Sequence, residues 1–243
     1  MNIIKLDAIG STNTYLKEIL THSNLENFTV VVTENQFQGK GQRGSVWVDE
    51  KGSSLTFSVL VKDLLSSPEY VFDLNILVAL SVQQSLIKML NLPFNIKWPN
   101  DILSYNKKIG GILIENIIKA TGETLSVVGI GINVNQEDFS HLPQATSLYK
   151  ACGHKIDKEE LMYAIIDMLT SYCDKYRVEG SDFIWEEYKR NLYRINVPSA
   201  FELPSGERFM GIIVGVTRYG LLEVKKEDDS VELFEIKQLK LLY

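Results

Sequence analysis

Cysteine and histidine are scarce in this 243-residue chain: 2 cysteines, Cys152 and Cys173, and 3 histidines, His22, His141 and His154. Neither cysteine sits in a CxxC pair and the histidines are scattered, which argues against a disulfide framework and against a metal site built on those residues. Two reduced thiols are expected. Positive charge is in deficit too, with 25 Lys and Arg against 31 Asp and Glu and a net charge of −6. A general nucleic-acid binder needs clustered cations to neutralise phosphates. Only 10 residues precede Ser11, too few for a DNA-reading helix, so no DNA partner is expected. The opening MNIIKLDAIGSTN shows no signal peptide, and no apolar run is read as long enough to cross a membrane. The cytoplasm and no membrane partner are the expectation. Internal repeats and low-complexity segments are absent as well.

What is present suits a globular chain with a sizeable core, 45% hydrophobic and 23% charged. Residues 11–21 read as a short helix capped by Ser11 or Thr12, with Leu16, Ile19 and Leu20 inward. Phe28 to Thr33 reads as a buried strand. Leu55, Phe57, Val59 and Val61 alternate with Thr56, Ser58 and Lys62 as a second strand. A long, largely buried helix is predicted over 68–90, with Ser67 at its cap and Pro68 at its first position. Asn95 to Trp98 is a short strand ended by Pro99. Residues 108–118 and 125–134 form a predicted hairpin around Thr121-Gly122-Glu123. Asp157 and Glu160 make a capping box for a helix whose inner face carries Leu161, Ile165, Leu169, Tyr172 and Tyr176. Another helix follows Asp182. From about Asn196, short β-rich runs separated by Pro204-Ser205-Gly206, Arg218-Tyr219-Gly220 and Lys226 to Ser230 read as a small barrel. The class is α+β rather than alternating βαβ.

Four segments carry chemistry. Gln36-Phe37-Gln38-Gly39-Lys40-Gly41-Gln42-Arg43-Gly44 leads on to Trp47, and its glycines let backbone N–H groups approach an anion while Lys40 and Arg43 add charge. It lacks the ending of a phosphate-binding P-loop. A strand, not a helix, follows it, which rules out a dinucleotide fingerprint. A flexible surface loop would read the same way. Lys97-Trp98-Pro99-Asn100-Asp101 presents Asn100 and Asp101 at a strand end, where an Asp can hold a magnesium nucleotide and an Asn can bond phosphate or sugar; an ordinary Asx turn is the alternative. Lys108-Ile109-Gly110-Gly111 places a lysine before two strand glycines, a mark of close approach by a ligand or by backbone. Gly129-Ile130-Gly131-Ile132-Asn133 leaves one strand face bare, suited to a flat ligand or to a closely packed helix.

Taken together, and with Ser11-Thr12-Asn13, Ile112-Leu113-Ile114-Glu115 and Ala145-Thr146-Ser147-Leu148, these segments resemble the biotin protein ligases across about residues 3 to 240. The resemblance implies a class II synthetase-like mixed sheet flanked by helices, with a small C-terminal SH3-like β-barrel. It divides the chain into a catalytic domain at 1–192 and the barrel at 193–243. It implies a ligase that joins biotin to the α-phosphate of ATP with Mg2+, then passes biotin to a lysine of a biotin carboxyl carrier protein. Members without an N-terminal DNA-binding domain are the nearest in layout. Homodimers through the central sheet are common in the family.

By that resemblance Ser11, Thr12, Asn13, Gln36 and Gly39 belong to the biotin pocket, with Gly111, Gly129 and Gly131 lining it. Lys108 and Lys40 stand at the carboxylate and α-phosphate, and with Arg43 form the implied catalytic set. Gly41, Trp47, Asn100, Asp101, Lys108 and Asn133 belong to the nucleotide, with Mg2+ near Asp101 and no direct protein metal site. The family's loop reads G-R-G-R-x-G, whereas here Lys40 and Gln42 replace the two arginines and Arg43 stands one step later. Lysine keeps the charge but loses the bidentate fork. Neighbouring loop positions point differently, so Arg43 is not expected to stand in for the arginine missing at Gln42. A lipoate or octanoate ligase, a biotin-sensing binder and a nucleotide-binding module are the rival readings.

Overall fold

A computed structural model describes residues 2–48, 50–65, 70–119 and 123–243. Seven strands form one sheet in the order β1-β2-β3-β7-β6-β5-β4. These are β1 (Ile3–Leu6), β2 (Val30–Thr33), β3 (Ser54–Lys62), β4 (Phe94–Lys97), β5 (Asp101–Ser104), β6 (Lys107–Ile118) and β7 (Thr124–Asn133). Only β1 and β2 pair in parallel, so the sheet is mixed, as expected. The predicted hairpin is β6–β7, paired from Gly110–Ile132 to Ile118–Thr124. Thr121 and Gly122 of its expected turn, like the expected cap Ser67 and Pro68, lie outside the described residues.

The helices divide between the two faces. α2 (Val71–Leu90), α4 (Lys158–Glu179) and α5 (Asp182–Asn191) pack on one side, and α1 (Thr12–His22) lies on the other. Strand periodicity of two decides what each face sees. In β3, Phe57, Val59 and Val61 join the large core beneath α2, while Leu60 turns to α1 and packs near Leu16. α2 is buried along most of its length. Its single buried carboxylate, Asp73, accepts hydrogen bonds from Tyr176 (2.8 Å) and Trp185 (2.7 Å). The expectation that no apolar segment reaches membrane-spanning length needs correction: α2 is 20 residues long and apolar enough by composition. Its apolarity is spent on the core between sheet and α4.

Asp157 caps α4 by accepting from the N–H groups of Glu159 and Glu160. Leu161, Ile165, Leu169 and Tyr172 of its predicted inner face are buried, and Tyr176 is half-buried. Three elements escaped the sequence reading. β1 and β5 have only four residues each, and α3 (Leu148–Cys152) has five, so periodicity has nothing to work on. The two cysteines are free, and burial pushes the Cys173 thiol up to about 12.

The C-terminal strands form a separate antiparallel sheet in the order β11-β10-β9-β8-β12. They are β8 (Pro198–Glu202), β9 (Arg208–Val216), β10 (Leu222–Lys226), β11 (Val231–Phe234) and β12 (Lys240–Leu242). This sheet docks on the first: Trp98 donates its indole N–H to the Gly220 carbonyl (2.9 Å), and Phe201, Ile213 and Leu222 share the large core. Arg218 pairs with Asp182 (2.7 Å) and lies over the Trp185 ring.

Candidate active site

The α1 side of the sheet changes character along its strands. At one end Leu60, Leu125, Val127 and Ile117 pack beneath α1. At the other, the same alternating positions become Ser58, Thr56, Gly129, Gly131 and Gly111, and only the first turn of α1 reaches this end. The result is a cavity of about 240 Å3 between the N-terminus of α1, the glycine-rich loop, the sheet and the segment at Ile236-Lys237. The sequence places it there by putting glycine where other strands carry side chains. A Cβ on Gly129 would fall 2.5 Å from the Asn13 amide oxygen, and one on Gly131 would fall 2.6 Å from the Trp47 indole. The strand face predicted to be bare is therefore roofed by Asn13 and Trp47 of the chain itself.

One end of the cavity is a network of neutral polar groups. Gln36 accepts from the Thr12 N–H (2.8 Å) and hydroxyl (3.2 Å). Ser58, fully buried, lies 2.7 Å from the Thr12 hydroxyl and 2.6 Å from the Asn13 amide oxygen. Asn13 donates to Glu115 (2.8 Å), which also holds Lys17 at 2.5 Å. Desolvation pushes the Glu115 carboxyl up, but the bonds from Lys17 and Asn13 outweigh it and hold it below the usual carboxylate range. Ser11 caps α1 by accepting from the Thr14 N–H. The sequence assigns no site role to Ser58, or to Glu115 beyond its place at the end of the family-like segment 112–115. A serine in an alternating strand and a glutamate near a strand's end carry no local signal.

The other end is charged. Lys108 and Asp101 form an ion pair at 2.6 Å beside Gly111. Strand register explains how they meet. Thr56, Gly131, Gly111, Asp101 and Lys97 are consecutive partners across β3, β7, β6, β5 and β4, so they form one transverse rung of the floor. A register shift in β5–β6 sets Lys108 opposite Leu103. The Ala145-Thr146 segment then clamps Lys108 through its backbone: Lys108 N–H donates to Gln144, and Thr146 N–H donates to Lys108. Desolvation lowers the Lys97 ammonium from its ordinary value, with Asp101 opposing the shift and Lys108 adding to it.

Most of the expected site residues meet here. Ser11, Thr12, Asn13, Gln36, Lys40, Gly41, Trp47, Asn100, Asp101, Lys108, Gly111, Gly129 and Gly131 line the cavity. Lys40 reaches Thr14 (3.2 Å). Among the described residues, the buried Trp47 indole N–H and the Thr56 hydroxyl in the floor have no hydrogen-bond partner.

Three expectations need correction. Arg43 adopts a left-handed conformation (φ 49°) and turns away from the cavity; its guanidinium donates to the Ile236 carbonyl (2.7 Å) and meets Glu235 at 3.5 Å. Gly39 backs onto Trp47 and Gln36 and does not line the cavity. Asn133 lies outside its wall, donating to the Thr146 carbonyl (3.1 Å) and accepting from Gln136 (3.2 Å). Asn100 does line the cavity, and its amide nitrogen also donates to the Ile112 carbonyl (2.6 Å). It braces the β4–β5 connection.

The cavity has neutral donors and acceptors at one end and cations at the other, an arrangement suited to an extended anionic small molecule. Residues 6–135 match the biotin/lipoate A/B protein ligase family, and the chain belongs to that family. It is 32% identical over 197 residues to the bifunctional ligase/repressor BirA of Bacillus subtilis, covering 77% of this chain and 59% of that one. It is 26% identical over 217 residues to the biotin–[acetyl-CoA-carboxylase] ligase of Mycobacterium tuberculosis, covering 88% and 79%. The chain thus spans about three-fifths of the Bacillus relative's length. Its fold superposes on the biotin protein ligase from Aquifex aeolicus in complex with biotin and ATP, with a TM-score of 0.80, 26% identity and coverage of 99% and 98%.

Proposed function

We propose that this chain is an ATP-dependent biotin–protein ligase. The observation that carries the reading is the two-glycine floor, Gly131 and Gly111, which ends in the Lys108–Asp101 pair and lies beside the Thr12–Gln36 network. The names of the relatives and the biotin- and ATP-bound Aquifex structure support it. The ureido ring of biotin, with its paired donors and acceptor, suits Thr12, Gln36, Asn13 and Ser58. The apolar tail suits the bare floor. The carboxylate then arrives at Lys108, with Lys40 on the opposite wall.

In the reaction a carboxylate oxygen attacks the α-phosphorus of ATP, and the bond to the bridging oxygen breaks. Its electron pair leaves with pyrophosphate, and biotinyl-adenylate remains. Two anions must approach, so fixed positive charge is the main requirement, and Lys108 and Lys40 supply it. An acceptor lysine amine then attacks the acyl carbon and expels AMP. Gly41 and Trp47 are placed to border the nucleotide. Among the described residues no cluster of three or more metal-ligating side chains exists, but Mg2+ entering with ATP needs only a carboxylate such as Asp101, the phosphates and water. Bound there, the ion would offset phosphate charge. The acceptor is a biotin carboxyl carrier protein. Residues 1–192 act as the catalytic unit and 193–243 as the appended unit, and the cytoplasm supplies the ATP.

ATP–pyrophosphate exchange, run with biotin, with lipoate and with no acid, tests this. Exchange with biotin alone is expected. Exchange with lipoate alone would assign the chain to the other half of its family, and exchange with neither would overturn the ligase reading.

A further inference from the structure

The floor of the cavity does not end at the Lys108–Asp101 pair. The next partner on the same rung is Lys97, paired with Asp101 across β4 and β5. Lys97 has an unusual setting. It is half-buried, and its ammonium stands 4.8 Å from the centre of the Tyr243 ring. Among the described residues neither a hydrogen bond nor a carboxylate within 4 Å reaches it. The nearby Asp101 is engaged by Lys108. A desolvated ammonium with three donors and only a ring face for company is costly unless an anion completes it.

Space for that anion is present. Lys97 and Asp101 border two cavities besides the main one. The first, about 500 Å3, lies between the two sheets and also carries Lys237 and Lys240. The second, about 350 Å3, carries Lys108 and the Leu142–Ala145 segment. The main cavity meets the larger one at Pro99, Asp101, Ile236 and Lys237. Positive side chains therefore continue outward past Lys108 and into the cleft between the sheets.

We infer that Lys97 binds the departing pyrophosphate and is a further catalytic residue of the adenylation half-reaction. This rests on the ligase reading above. With the α-phosphorus at Lys108, the β- and γ-phosphates extend along the rung toward Lys97, one strand spacing beyond Asp101, or about 5 Å. As the bond from the α-phosphorus to the bridging oxygen breaks, that oxygen gains charge, and the Lys97 ammonium donates hydrogen bonds to the leaving group without losing its proton. Lys240 and Lys237 line the way out. The second half-reaction, in which an amine displaces AMP, involves no pyrophosphate and does not use Lys97.

The two half-reactions separate the possibilities. In Lys97→Met the KM for pyrophosphate in exchange is expected to rise, and the forward adenylation rate to fall, each on the order of 100-fold. Transfer from supplied biotinyl-adenylate to a carrier domain should stay within about twofold of the parent, and Lys97→Arg should recover most of the loss. Unchanged exchange and adenylation in Lys97→Met would overturn the assignment. So would an equal loss in transfer, which would mark a structural role. Inorganic pyrophosphate titrated calorimetrically onto the parent and Lys97→Met proteins tests the site even if neither acid supports exchange. Weaker binding to the variant supports it, and equal binding overturns it.

Discussion

The Asp101 carboxylate holds the Lys108 ammonium at 2.6 Å, with the pair half-exposed at the charged end of the cavity. A lysine held in this way is pre-positioned but not saturated, because an ammonium has three donors. Lys108→Ala should lower adenylate formation on the order of 1,000-fold, the scale for removing a fixed positive group from a developing anion, while melting within a few degrees of the parent. Asp101→Asn keeps the Lys108 charge but removes both its anchor and the carboxylate proposed for Mg2+, so it should also lower adenylate formation and raise the Mg2+ concentration the reaction needs. Burst measurements of pyrophosphate release compare the two; near-normal release from Lys108→Ala would remove Lys108 from the chemistry.

Arg43 couples the glycine-rich loop to the C-terminal sheet rather than to the ligand. Its guanidinium donates to the Ile236 carbonyl, and Lys237 donates to the Arg43 carbonyl in return. Arg43→Ala should therefore leave biotin affinity within about threefold and speed escape of the adenylate from a loosened loop. A large loss of biotin affinity, read by calorimetry, would instead place Arg43 at the ligand. Gln42→Arg restores the family's arginine on the cavity wall and should slow adenylate escape.

Glu115 should shape the acid limb of stability. Its folded-state carboxyl is held below the ordinary value by Lys17 and Asn13 against desolvation. Its contribution is thus present above the unfolded-state value, and it disappears as pH falls through the lower folded-state value. Glu115→Gln should melt below the parent at pH 7, and the gap should close on acidification below about pH 4. A gap independent of pH would mean that packing, not charge, accounts for the loss.

Tyr188 is fully buried, and its hydroxyl has no hydrogen-bond partner among the described residues. Burial alone raises its pKa. Removing an unsatisfied buried hydroxyl while keeping the ring relieves a desolvation cost of roughly 1 kcal/mol or more. Tyr188→Phe should accordingly raise the midpoint of thermal unfolding. A lower midpoint would reveal a bond that the hydroxyl makes in solution.

The long elements were legible from the chain alone. β3, α2, α4 and the β6–β7 hairpin all carry enough alternation or helical period to declare themselves, and Asp157 announces the start of α4. The glycines of β6 and β7 marked the floor, because a strand without side chains has to be approached by something. Short elements such as β1, β5 and α3 had too few residues to show a period. The outcome at Arg43 could not be read either. Local spacing put it in an anion-binding loop, but a left-handed turn and a carbonyl almost 200 residues away decided where it points. Asn133 looked like a ligand group, yet the Thr146 carbonyl and the Gln136 amide, brought close by folding, claimed its side chain. Lys97 is the converse. Its segment was marked for Asn100 and Asp101 and gave the lysine no role of its own; strands in register put it on the same rung as Gly111 and Asp101. Residue types and their order determined the class of site. Register and long-range hydrogen bonds decided which side chains face it, because a side chain's partners are set by what folding brings within 3 Å, and sequence distance does not measure that.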